Sequence, residues 1–182
     1  MNQGLIPRRY AKALYAVALE KGKAKEIYNL MSCLVTSFED NSDLQQALAN
    51  PFVPEADKMT LVHTAAGVKT GDDSVFDDFL CLLVRNRRID FTRGIALAYL
   101  DIYREANRIY VVKVESASPL SEENTERLKT LVGRHLGDAR MEFSTSVNPS
   151  LIGGFTVTVG NERLDASISN ELKQLRLNLL SK

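Results

Sequence analysis

The sequence predicts an α+β protein: a six-helix bundle over residues 1–108, then a small α/β domain over 109–182 with a short sheet and two helices. Two observations carry this prediction. Apolar residues recur at three- and four-residue spacing before residue 110, and alternate with polar ones after it. The connections are short, marked by Pro, Gly and Asn, and no internal repeat or low-complexity tract interrupts them.

The elements follow in order. A first helix is expected over 5–21. In the second, Ile27, Leu30, Met31, Leu34, Val35 and Phe38 trace one buried face. A short third helix near 43–49 stops at Asn50-Pro51. The fourth starts at Pro54, with Glu55 and Asp57 in its first turn and Gly67 at its end. The fifth runs from about Asp73 to Arg87. The sixth places Phe91, Ile95, Ala98, Ile102 and Ala106 on one stripe, with Asp90 as the expected N-cap.

Beyond residue 110, Tyr110, Val112 and Val114 alternate, as do Met141, Phe143, Thr145 and Val147, and then Phe155, Val157 and Val159. Gly160-Asn161 reads as a tight turn into a fourth strand, Glu162 to Leu164. Between the first two strands lies a helix capped by Ser121, with Leu128, Leu131 and Val132 inward. A last helix carries Ile168, Leu172, Leu175 and Leu179 on one stripe. Leu177 and Leu180 point elsewhere and are candidates for contact with a second partner.

Composition narrows the function classes. Lys+Arg and Asp+Glu both number 23, so no general field draws the chain to nucleic acid or anionic lipid. Cys33 and Cys81 sit in periodic apolar segments and read as reduced core thiols of a cytosol-facing protein. No apolar run approaches membrane-spanning length and no signal-peptide core is expected, so a membrane is reached only through a partner.

Catalysis finds no constellation. His63 and His135 lie far apart without carboxylates at metal-ligand spacing, and no serine occupies a GxSxG turn. Gly153-Gly154 precedes a strand and lacks the Lys-Ser/Thr of a phosphate loop, so it reads as a turn. Neither a cofactor nor a metal is expected. Arg85, Arg87 and Arg88 are the one basic cluster. They complement a helix C-terminus, and the alternative is a nucleic-acid-binding regulator.

Two helices are apolar over a wider arc than one-sided packing needs. The first spreads Ile6, Tyr10, Ala11, Ala13, Leu14, Tyr15, Val17, Ala18 and Leu19 over roughly 240° of the helical wheel. The fifth spreads Val75, Phe76, Phe79, Leu80, Cys81, Leu82, Leu83 and Val84 over roughly 200°. The second helix confines its own to roughly 160°. Central burial and a groove for a partner helix both account for the excess.

Several segments, taken in order, resemble one family: RRYAKALYAVALEKG at 8–22, NPFVP at 50–54, FDDFLCLLVRNRRID at 76–90, ASPLSEE at 117–123 and VNPSLIGGFTVTVGNERLDASI at 147–168. They are similar to the delta subunit of F-type ATP synthases, whose mitochondrial relative is the oligomycin-sensitivity-conferring protein. The resemblance implies a non-catalytic stator. It links the catalytic head to the peripheral stalk and resists rotation during proton-driven ATP synthesis. It also implies that the bundle binds an N-terminal helix of the alpha subunit between its first and fifth helices. Tyr10 and Ala13 match family positions in that contact, and the apolar faces add Leu14 and Val17 on the first helix and Phe76, Phe79, Leu80 and Leu83 on the fifth, some of them serving the core instead. The second domain contacts b-type stalk subunits, and the complex sits on the cytoplasmic side of the bacterial inner membrane. One departure is Asp165-Ala166-Ser167, where many relatives have Asp-Gly-Ser.

Overall fold

The helix stop signals and the change of apolar period near residue 110 are realised in a computed structural model that describes residues 4–69, 71, 73–137, 140–160, 162–168 and 170. Two compact units divide the chain, Met1–Ala106 and Asn107–Lys182.

The first unit contains α1 (Leu5–Glu20), α2 (Ala24–Asp40), α3 (Ser42–Ala49), α4 (Glu55–Ala66), α5 (Ser74–Arg85) and α6 (Thr92–Asn107). Gly22 and Gly67, both at positive φ, close α1 and α4. At each, the glycine N–H and the one that follows it donate back to the last helical carbonyls, as in the Schellman motif. Asp73 caps α5: its Oδ1 accepts from the backbone N–H of Val75 at 2.8 Å and of Phe76 at 3.1 Å. Its Oδ2 accepts from Lys23 Nζ at 3.0 Å, which ties the start of α5 to the α1–α2 turn. His63 on α4 places Nε2 against Asp77 on α5, and Asp77 also accepts from the Gly71 N–H.

The core is built where the stripes meet. Ile27, Met31, Leu34 and Phe38 of α2 are buried with Val62 of α4 and Phe76, Leu80 and Leu83 of α5. The face of α6 differs from the expected one. Ile95 is buried as anticipated, but Tyr99, Leu100 and Tyr103 complete the interior, whereas Ala106 is exposed and Ala98 and Ile102 are only half-buried. The aromatic rings decide this rotation. Tyr99 donates its hydroxyl to the Ala24 carbonyl at 3.0 Å, and Tyr103 stacks on Tyr28 at 4.4 Å between centroids. Burial, with Tyr15 and Tyr103 beside it, pushes the Tyr99 hydroxyl above its ordinary ionisation range. Asp90 is not an N-cap; it lies within a short 3-10 turn, Ile89–Phe91, that leads directly into α6. Neither cysteine is a core residue. Cys33 and Cys81 are free and exposed, because each falls beside the buried stripe of its helix rather than on it.

The second unit contains β1 (Ile109–Ser116), α7 (Glu122–Leu136), β2 (Arg140–Val147), β3 (Gly154–Val159) and β4 (Glu162–Ser167). The sheet order is β2-β1-β3-β4. β1 and β2 run parallel, with Val112 opposite Phe143, and α7 supplies the crossover that parallel pairing requires. The other pairs are antiparallel, with Val114 opposite Val157 and Val159 opposite Glu162. Ser121 caps α7 by accepting from the Asn124 N–H at 3.3 Å. Val112, Val114 and Val157 form the centre of this core, covered by Leu128, Val132 and Leu136 at four-residue spacing along α7. Leu131 departs from the expected inward position; lying to one side of that stripe, it is 60% exposed. Tyr110, Thr145 and Val147 alternate as expected but stand exposed.

Gly153-Gly154 is a close approach of backbones. A side chain on Gly154, at φ 79°, would collide with the Ala166 carbonyl oxygen. Ala166 itself pairs opposite Phe155 and is not among the positive-φ residues, so a methyl group is accommodated there. The expected final helix, with Leu172, Leu175 and Leu179, lies outside the described residues apart from Ile168. So do the stalk candidates Leu177 and Leu180 and the turn residue Asn161.

Candidate partner-helix groove

Each wide apolar arc is divided in two by the bundle. On α1, Ala11, Leu14 and Ala18 are buried, and Tyr15 packs edge-on against Tyr99. Ile6, Tyr10, Ala13 and Val17 lie on the other side of the arc, facing an open furrow. On α5, Phe76, Leu80 and Leu83 are in the interior. Val75, Phe79 and Leu82 line the furrow, with Asn86 just beyond the helix end. The same spacing governs both walls. Positions 6, 10, 13 and 17 answer positions 75, 79, 82 and 86, each a shallow spiral down one helix edge.

The furrow has two compartments, of about 420 Å³ and about 160 Å³, that share Tyr10, Ala13 and Leu82. In the larger one the Asn86 side-chain amide donates to the Tyr10 hydroxyl at 3.1 Å, joining the two walls. The helices run antiparallel, since Ile6 meets Asn86 at one end and Lys21 faces Asp78 at the other. The length from Ile6 to Lys21 is about 22 Å at helical rise, or four turns of a partner helix. Each wall carries an exposed apolar side chain: Val17 is 42% and Leu82 44% accessible.

The eight residues expected to bind a partner helix are therefore placed differently. Tyr10, Ala13 and Val17 are accessible on the furrow wall. Leu14 and Phe79 are buried and form its floor. Phe76, Leu80 and Leu83 are held by the bundle interior and present no surface to a ligand. Leu82 and Ile6 complete the lining. The four-three spacing of Val75, Phe79 and Leu82 was the signal in the sequence that selects them.

The basic cluster is not one patch. Arg87 adopts φ 53° immediately after α5, and this turn separates its neighbours. Arg87 borders a different cleft with Val53, Lys58 and Asp90, whereas Arg88 borders the furrow with its guanidinium 5.6 Å from the Phe91 ring. A single surface for a phosphate backbone is not formed.

In the second unit, α7 and β3–β4 enclose an apolar hollow of about 440 Å³ lined by Leu128, Leu131, Val132, Phe155, Val157, Val159 and Leu164. Glu162 and Arg163 stand at its rim. Among the described residues, no group of three or more His, Cys, Asp or Glu is arranged to hold a metal ion, and no helix is long and apolar enough to cross a membrane.

A helical bundle with an apolar furrow, followed by a small sheet unit with its own apolar hollow, defines a connector that works by packing. Comparison with known proteins gives its family. Residues 6–179 match the family model described as ATP synthase delta (OSCP) subunit. The ATP synthase subunit delta of Bacteroides thetaiotaomicron is 37% identical over all of this chain and 97% of its own length. That of Gloeobacter violaceus is 34% identical over 96% of this chain and 94% of its own. A chain in the cryo-EM structure of the Toxoplasma gondii mitochondrial ATP synthase hexamer shares the fold. Its TM-score is 0.71 at 22% identity, covering 99% of this chain and 98% of that one.

This chain belongs to the ATP synthase delta (OSCP) subunit family. It is a non-catalytic stator connector, and the nucleic-acid reading has no support.

Proposed function

We propose that the furrow between α1 and α5 holds an amphipathic N-terminal helix of the alpha subunit of the catalytic head. The second unit then engages the b-type subunits of the peripheral stalk. The complex places the chain on the cytoplasmic side of the bacterial inner membrane. One observation carries this reading: Ala13 and Val17 on one wall and Leu82 on the other leave apolar side chains accessible along an open furrow whose floor is the buried Leu14, Val75 and Phe79. A helix laid into the furrow removes that surface from water, which contributes roughly 25 cal/mol per Å² before the costs of association. A stator resists sustained torque, so slow dissociation matters more than rapid capture. The exposed Leu131 and Leu164 of the second unit support a separate contact for the stalk.

Ala13 tests the reading because it is exposed in the free chain and central to the furrow. In Ala13→Asp the new carboxylate stays hydrated until a partner covers it, and burial of an unpaired charge then opposes docking. Affinity for a synthetic alpha-subunit N-terminal peptide from the same organism is expected to fall at least about a hundredfold, with the helical circular dichroism unchanged. Undiminished binding by the variant, or no binding by the folded wild-type chain, refutes the groove.

A further inference from the structure

The furrow has a charged end. The compartment nearest the start of α1 is lined by Ile6, Arg9, Tyr10, Ala13, Leu82, Asn86 and Arg88, with no carboxylate among them. At the other end Lys21 and Asp78 face one another at 4.0 Å and largely cancel. Among the described residues, neither Arg9 nor Arg88 has an anionic partner; Arg88 rests only on the Phe91 ring. The Tyr10 hydroxyl already accepts from Asn86, so its own proton remains to be donated.

On α1 this arrangement runs against local preference. The first turn of α1 has no acidic residue, and Arg8 and Arg9 follow it, although a helix N-terminus favours negative charge. On the facing wall, the turn at Arg87 carries Arg88 back beside the furrow. Two separate helices therefore deliver cations to one end of an apolar trough. Arg9 departs from the local rule, as residues at functional sites do, whereas Arg88 follows the end of α5, where a cation is favoured.

We infer that this end is a carboxylate subsite. The helix that occupies the furrow presents an Asp or Glu at one of its ends to Arg9 and Arg88, and this contact fixes its direction and register. The inference rests on the groove reading above and adds the polarity that apolar packing lacks. Apolar contacts alone tolerate a helix in either direction, whereas a like charge over Arg9 and Arg88 opposes the reversed one.

The test is a double-mutant cycle with the full chain. The probe is the alpha-subunit N-terminal peptide, and a second form has its terminal Asp and Glu residues changed to the corresponding amides. Binding is measured by fluorescence anisotropy at low and high salt. Arg9→Gln with Arg88→Gln is expected to weaken the native peptide by about tenfold at low salt and by less at high salt. The amide peptide is expected to bind wild type and variant alike, because the two losses are one interaction counted twice. Equal binding of the native peptide by wild type and the Arg variant, with Ala13→Asp still disruptive, overturns the carboxylate subsite and leaves the groove standing. Failure of the folded wild type to bind either peptide overturns the groove itself. Both arginine positions reach solvent, and unchanged circular dichroism excludes unfolding as the cause.

Discussion

Single residues set the local geometry from which the groove is made. Arg87 is one of the non-glycine residues at positive φ, and it occupies the position after the α5 cap where glycine is usual. The Arg87 N–H donates to the Val84 carbonyl at 2.9 Å and the Arg88 N–H to Leu83 at 2.8 Å, so the turn is fully bonded despite the side chain. Replacing Arg87 with Gly relieves that conformation and is expected to raise stability by about 0.5–1 kcal/mol, read as a higher midpoint in thermal unfolding. The groove itself is not altered, since Arg87 borders another cleft. The cysteines show how a residue next to an apolar stripe misleads. Leu34 and Leu80, each one position away, are buried, but one position around a helix is about 100°, enough to put a thiol in water.

At the scale of elements, α5 is positioned as much by its first residue as by its apolar face. Burial disfavours ionised Asp73, but the Lys23 ammonium and the N–H groups of Phe76 and Val75 outweigh it, and the carboxyl is held below its ordinary value of 3.8. Lys23 is in turn held above 10.5, chiefly by the Asp73 hydrogen bond. The carboxylate's contribution to stability is present above its unfolded value and lost as pH falls through the folded one. The ammonium's is present below its unfolded value and lost as pH rises through the folded one. Asp73→Ala is expected to cost about 1–2 kcal/mol at neutral pH through loss of the cap. The gap between variant and wild type begins to narrow below about pH 4, where the unfolded carboxyl takes up its proton, and closes only as pH falls through the lower folded value. Chemical denaturation over a pH series checks both statements.

Element boundaries were legible because caps and stops are local: Ser121, Pro54, Gly67 and Asp73 each act on their own helix. The face of α6 was not. Its alanines and isoleucines fit a helical stripe, yet the interior took Tyr99 and Tyr103, whose partners, Ala24 and Tyr28, lie some 75 residues away in the sequence.

At the scale of the whole molecule, two units each offer an apolar surface, and the proposed role holds a partner on each. Membranes depleted of this subunit and given back the wild-type chain are expected to regain proton pumping coupled to ATP hydrolysis. The Ala13→Asp chain is expected not to restore it, while the hydrolysis rate of the isolated head stays the same. Pumping is measured by quenching of a pH-sensitive dye and hydrolysis by phosphate release. Restoration by Ala13→Asp equal to wild type contradicts the role assigned to the furrow.

The sequence by itself determined the class of fold, the order of elements, caps such as Ser121 and Gly67 and the two helices with surplus apolar surface, because periodicity and capping are properties of neighbours along the chain. Only the tertiary structure decided how that surplus divides. Whether Leu82 or Leu83 meets solvent depends on which side of α5 the rest of the bundle covers, and a difference of one residue carries a side chain from the interior to the furrow. Arg9 and Arg88 came together for the same reason: they are 79 positions apart, and the antiparallel packing of α1 on α5 places both at one end of the groove.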